Sequence, residues 1–159
     1  MNRMLPPCMA VHLEESINLE SPQRLFIMNN KKLLIVEDDA DVRLGYQILL
    51  RANHYVPSFA ADSIAAMSEA DKHRPDLIVL DLGLPGGGGF IVLDALRADP
   101  SLAEIPVVVV SARDIRGNKE RTLKAGARAY VQKPWKDDEL LAIIGQLTGE
   151  PALSVSQPR

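Results

Sequence analysis

The sequence predicts an α/β domain: a five-stranded parallel sheet with helices packed on both faces. Three observations carry that expectation. First, LLIV at Leu33–Val36, LIVL at Leu77–Leu80 and VVVV at Val107–Val110 are short, continuous apolar runs, as strands buried on both sides require. Second, helix-length segments with apolar residues at helical spacing stand between these runs. Third, the runs end directly on polar residues. In open α/β sheets ligands gather beyond the carboxyl ends of the strands.

The elements follow in order. Strand one is Leu33–Val36, and Asp39 offers an N-cap to the first helix, where Leu44, Ile48 and Leu49 fall at helical spacing up to Asn53. YVPSF is a weaker second strand; Pro57 cannot donate to a ladder and places it at a sheet edge. Asp62 or Ser63 caps a second helix carrying Ile64, Ala65 and Met67, which ends before Pro75. After strand three at Leu77–Leu80, the glycines Gly86–Gly89 read as a loop before a helix with Ile91, Leu93 and Leu96 in its pattern. That helix stops near Asp99-Pro100. Strand four is Val107–Val110, and a polar helix from about Arg113 to Ala125 ends at Gly126, a C-cap residue. Tyr130-Val131 marks a short fifth strand. Asp137, Asp138 and Glu139 open the last helix, where their charges suit its dipole.

At 159 residues the chain fits one domain with a real core. A hydrophobic fraction of 47% and a charged fraction of 25% are ordinary for a globular protein. The formal net charge of −3 argues against direct nucleic-acid binding, which favours a basic excess. The lone Cys8 allows neither an intrachain disulfide nor a zinc-site spacing, and fits a reducing, cytoplasmic setting. No apolar stretch is long enough to cross a bilayer, so no membrane partner is expected. Residues 1–30 and 148–159 lack a core pattern and are expected to be disordered tails around a domain at 31–147. Residues 1–30 are either a genuine extension or the result of a start set too far upstream of Met28.

Chemistry is expected at the strand ends. In a parallel sheet, Glu37-Asp38-Asp39, Asp81, Ser111-Ala112 and Lys133-Pro134 converge on one rim. Two carboxylates about 4 Å apart repel by roughly 4 kcal/mol at an effective dielectric of about 20. Such a cluster protonates or binds a cation. Oxygen donors suit a hard ion, and a few carboxylates completed by water suit magnesium. Magnesium with a lysine and a hydroxyl is the equipment of phosphoryl transfer, with Asp81 as a carboxylate nucleophile.

LLIVEDDADVR, PDLIVLDLGLPGGGGF, PVVVVSA and KAGARAYVQKPW, in this order and spacing, resemble the receiver domain of two-component response regulators over about Lys31 to Leu147. The resemblance implies a three-layer, flavodoxin-like (βα)5 fold with strand order 2-1-3-4-5. It implies Asp81 as phospho-acceptor, Asp38 as direct metal ligand and Glu37 as the acid that holds metal-bound water. The Gly83 backbone carbonyl would complete the shell of Mg2+, with Mn2+ an expected substitute. Ser111, with Ala112 beside it, and Lys133 would contact the phosphoryl group; Pro134 would follow a cis peptide bond and hold the lysine's loop. Tyr130 matches the aromatic switch position, and Gly83 and Arg113 match two positions that tune phosphate lifetime. Gly88 stands where many receivers have Asp or Ser.

The function implied is a phosphorylation-controlled switch, not a conventional enzyme. A histidine kinase or histidine phosphotransfer protein would donate the phosphoryl group. An output protein would dock on the fourth helix, fifth strand and fifth helix, and dimerisation stays open. The basic stripe of Arg113, Arg121 and Lys124, with Arg116 and Lys119 beside it, is a solvated face or a docking surface for an acidic partner. The chain is expected to be a stand-alone receiver or one cut from a longer protein. A magnesium phosphatase with an aspartate nucleophile is the first rival, but it needs an acid where Gly83 stands. A flavin-mononucleotide carrier needs a hydroxyl-rich loop where Glu37-Asp38-Asp39 would repel a phosphate. A degenerate, phosphate-independent receiver would not need the full acid–hydroxyl–lysine set.

Overall fold

The structure, a computed structural model, describes residues 30–112 and 115–149. The expectations for residues 1–29, for Arg113 and for 150–159 lie outside the described residues. The strands are β1 (Lys32–Val36), β2 (Val56–Ala60), β3 (Leu77–Asp81), β4 (Val107–Ser111) and β5 (Ala129–Gln132). The helices described are α1 (Ala40–Ala52), α2 (Ser63–His73), α3 (Gly88–Ala98), α4 (Ile115–Lys124) and α5 (Asp137–Leu147). All strand pairs are parallel, in the order β2-β1-β3-β4-β5. This is the flavodoxin-like order expected, with β2 and its Pro57 at one edge.

Alternation along the strands builds two cores. Leu34, Val36, Ile78, Leu80, Val107 and Val109 face Ala66 and Ala70 of α2 and Val92, Leu93 and Leu96 of α3. Leu33, Ile35, Leu77, Val79, Val108 and Val110 face Tyr46 and Leu50 of α1 and Leu140 and Ile144 of α5. β3 and β4, and β1 from Leu33 onward, are buried on both sides because each residue faces a helix whichever way it points.

The helices start where the sequence places them. The Asp39 carboxylate accepts from the Asp41 N–H at 2.8 Å and the Val42 N–H at 3.2 Å. Asp62, not Ser63, caps α2, accepting from the Ala65 N–H at 2.8 Å. Asp39→Ala is expected to cost about 1 kcal/mol of folding stability, read as a lower urea midpoint.

Three details differ from the sequence pattern. Leu44 and Ile48 point to solvent, and α1 buries Tyr46 and Leu50 instead. Ile64 and Ile91 are likewise exposed. The glycine run is not all loop: Pro85–Gly87 form a 3-10 turn, and Gly88 and Gly89 are the first residues of α3. A Cβ on Gly89 would lie 2.6 Å from the Leu82 Cα and 2.8 Å from the Asp81 carbonyl oxygen. Glycine alone lets α3 start this close to the end of β3.

Candidate phosphoryl-acceptor site

Register assembles the rim. Val36 pairs with Leu80, so the next residues, Glu37 and Asp81, stand side by side. Asp81 pairs with Val110, so β4 ends one residue beyond β3, and Ser111 pairs with Gln132, so β4 and β5 end level. The Lys133 N–H donates to the Ser111 carbonyl at 2.9 Å, extending the ladder one step and delivering the lysine to the rim. The Lys133–Pro134 peptide bond is cis.

The lysine lies between two buried acids. Its Nζ donates to Glu37 Oε2 at 2.8 Å and to Asp81 Oδ2 at 3.1 Å. Asp81 Oδ1 accepts the Gly83 N–H at 2.8 Å, so both oxygens of Asp81 have a donor. Glu37 Oε1 accepts the Asp39 N–H at 3.1 Å. Asp38 stays exposed, and carboxylate oxygens of Glu37, Asp38 and Asp81 all lie within 4.8 Å of one another. Burial pushes the Glu37 carboxyl above its usual range, against the opposing pull of its Lys133 bond. Burial works to lower Lys133, but its bonds to Glu37 and Asp81 outweigh it and hold the ammonium above its usual range.

Three carboxylates face one ammonium, leaving about two negative charges unbalanced if all are ionised. Every donor is a hard oxygen, so the set fits a divalent hard cation. Gly83 is exposed, and a Cβ there would come within 3.2 Å of Asp81 Oδ1, so the missing side chain keeps the approach to the acid open.

The other expected positions fall on the same rim or just behind it. Ser111 is fully buried at the end of β4 and Ala112 follows it, exposed. Tyr130, in β5, is half-buried against the α2–α3 core. Trp135, beyond Pro134, stacks on Tyr46 of α1 with ring centroids 5.0 Å apart. On α4, Arg121 lies over the Phe90 ring at 4.0 Å, and Lys124 pairs with Glu120 at 2.7 Å.

One residue without an expected role is tied to the rim. Arg43 Nη1 donates to the Glu37 carbonyl at 2.7 Å and the Asp38 carbonyl at 2.8 Å. A signal existed in the sequence. With Asp39 as cap, Arg43 falls one turn into α1, and helical side chains lean back toward the N-terminus.

Comparison with known proteins identifies the family. The family model described as the response regulator receiver domain matches residues 33–145. The chain belongs to the response-regulator receiver family. This receiver is 39% identical over 118 residues to the response regulator PleD of Caulobacter vibrioides, covering 74% of this chain and 26% of PleD. It is 36% identical over 114 residues to the phosphate regulon transcriptional regulatory protein PhoB of Escherichia coli, covering 72% of this chain and 50% of PhoB. The chain thus spans between a quarter and a half of these curated relatives. Among solved structures, the receiver domain of the sensor histidine kinase PA1611 from Pseudomonas aeruginosa superposes with a TM-score of 0.70 at 30% identity. The match covers 76% of this chain and 99% of that one, which was crystallised with magnesium coordinated in its active-site cleft. Vibrio cholerae CheY4 superposes with a TM-score of 0.69 at 26% identity, covering 74% of this chain and 98% of CheY4. Receivers are signalling domains rather than conventional enzymes. Among the described residues, no helix is long and apolar enough to cross a membrane.

Proposed function

We propose that this receiver takes a phosphoryl group onto the Asp81 carboxylate from a histidine kinase or histidine phosphotransfer protein, with Mg2+ bound. The observation that carries the reading is a buried Asp81 held between the Lys133 ammonium and the Gly83 N–H, beside two further acids. Glu37, Asp38, Asp81 and the Gly83 carbonyl would hold the ion, with Mn2+ able to substitute. When bound, Mg2+ supplies positive charge against the phosphoryl oxygens, as phosphoryl transfer requires.

The chain's own residues do the rest. An Asp81 oxygen attacks the phosphorus; a P–O bond forms as the P–N bond to the donor imidazole breaks. Lys133 exchanges its bond to Asp81 for one to a phosphoryl oxygen, while Glu37 keeps the ammonium charged and in place. The Ser111 hydroxyl and the Ala112 N–H contact the phosphoryl group from the end of β4. Pro134 fixes the turn that carries Lys133. Gly83 admits water to the acyl phosphate, and Arg113 shares in setting its lifetime.

Acetyl phosphate replaces the protein donor in the test. With Mg2+, intact mass is expected to rise by one phosphoryl group for wild type and not for Asp81→Asn, and chelation by EDTA is expected to abolish the gain. An equal gain in Asp81→Asn, or one insensitive to EDTA, contradicts the reading.

The added charge is read on the α4–β5–α5 face, through Ser111 and Tyr130. Arg121 and Lys124 bring basic charge to the α4 part of this face, suited to an acidic partner. Reversing both charges is expected to weaken capture of that output partner about tenfold at low salt, measured by titration calorimetry. An unchanged affinity assigns the partner to another face.

A further inference from the structure

We infer that Arg43 is a positioning residue for the divalent cation. Its guanidinium fixes the loop between β1 and α1 in the shape that brings Asp38 and Glu37 toward Asp81. The inference rests on the proposed Mg2+ site. The loop is short of backbone partners. The strand ladder ends with the Glu37 N–H donating to the Ala60 carbonyl at 3.0 Å, and the first helical bond from this end is the Arg43 N–H to the Asp39 carbonyl at 3.0 Å. The Glu37 and Asp38 carbonyls fall in the gap between the two systems. Arg43 Nη1 takes both, at 2.7 and 2.8 Å, from a half-buried position on α1. No carboxylate pairs with Arg43 among the described residues, so its bonds go to the backbone of the loop and not to the acids themselves.

Both carbonyls flank the Cα of Asp38, the exposed member of the acidic trio. Two bonds from one charged donor fix the peptide planes on either side of that residue, and with them the direction of its side chain. Glu37 is held independently by Lys133 and the Asp39 N–H. At Asp38 the Arg43 bonds fix the plane before the residue and join the Asp39 N–H bond to Glu37 Oε1 in fixing the plane after it. Partners that orient metal ligands are typically worth about 10- to 100-fold in metal affinity.

Charge and geometry predict opposite signs, which makes the inference testable. A guanidinium beside a cation site repels the cation, so by charge alone removing Arg43 would tighten Mg2+ binding. Positioning predicts that removal weakens it. The experiment is calorimetric titration of Mg2+ into the full chain as wild type, Arg43→Ala and Arg43→Lys. The Kd is expected to rise about tenfold in Arg43→Ala. Arg43→Lys keeps the charge but loses the planar fork, and is expected to fall between the two. In the absence of Mg2+, the Asp38 and Asp39 amide resonances are expected to shift in Arg43→Ala, while those of β2 and α2 stay in place. Unchanged or tighter Mg2+ binding by Arg43→Ala overturns the inference. Should that variant not fold, Arg43→Lys decides, and wild-type affinity there overturns it. A wild type that binds no Mg2+ instead overturns the proposed function on which the inference rests.

Discussion

Lys133→Met is expected to lose phosphoryl transfer from acetyl phosphate by at least about 100-fold and to unfold more easily than wild type. Lys133 is the one cation within ion-pair distance of Glu37 and Asp81 among the described residues. Methionine keeps much of the length of the stem and removes the charge. Breaking a buried pair by deleting one partner costs about 3–5 kcal/mol. The Lys133 side chain is 20% exposed, so the cost is expected at the lower end of that range. The penalty depends on pH. Without its Lys133 bond, Glu37 is pushed further above its usual value in the folded protein, so the folded state binds a proton that the unfolded chain has released. Stability then falls as pH rises between the unfolded and folded values. The deficit of Lys133→Met against wild type is expected to narrow as pH is lowered from neutral toward the ordinary carboxylate range. Urea unfolding across that interval measures it. A deficit independent of pH would mean that Glu37 does not carry the uncompensated charge.

Gly89→Ala is the largest expected effect on the fold itself. Its new methyl would meet the Leu82 Cα at 2.6 Å and the Asp81 carbonyl oxygen at 2.8 Å. Both are backbone atoms, so no side chain can swing away. Overpacking typically costs about 1–3 kcal/mol, and a backbone collision belongs at the top of that range. The strain also falls on Asp81, so phosphorylation is expected to slow along with the loss of stability. Gly45→Ala is the control. A Cβ at Gly45, in α1, meets nothing within 4 Å, and alanine there is expected to gain about 0.5–1 kcal/mol. Unfolding midpoints that rank the two variants the other way would contradict the close approach of α3 to β3.

The sheet was legible because its three central strands are buried on both faces. LIVL and VVVV have no polar residue to place, so they announce strands without ambiguity of face. Asp39 was legible as a cap, and Asp62 as one of two candidates with Ser63, because such carboxylates serve the backbone of the next turn, a local transaction. The rim was legible for a related reason: in a parallel sheet, residues that directly follow apolar runs share one edge. Helix faces were less legible. Leu44 and Ile48 share a stripe of α1, yet the stripe through Tyr46 and Leu50 packs on the sheet. Both stripes carry apolar residues, and only the position of the neighbouring strand chooses between them. Gly89 was hidden because its reason is a tertiary distance to Leu82 rather than a turn. Arg43 was hidden because its partners are carbonyl groups, which no side-chain pattern records.

On the proposed function, Asp81 itself carries the phosphoryl group as an acyl phosphate. Borohydride reduces an acyl phosphate to an alcohol and leaves phosphate esters intact. The full chain, treated with acetyl phosphate and Mg2+, reduced with borohydride and digested, is expected to yield homoserine at position 81 by tandem mass spectrometry. Aspartate unchanged at 81, with a borohydride-stable phosphate on Ser111 or any other residue, would contradict the account.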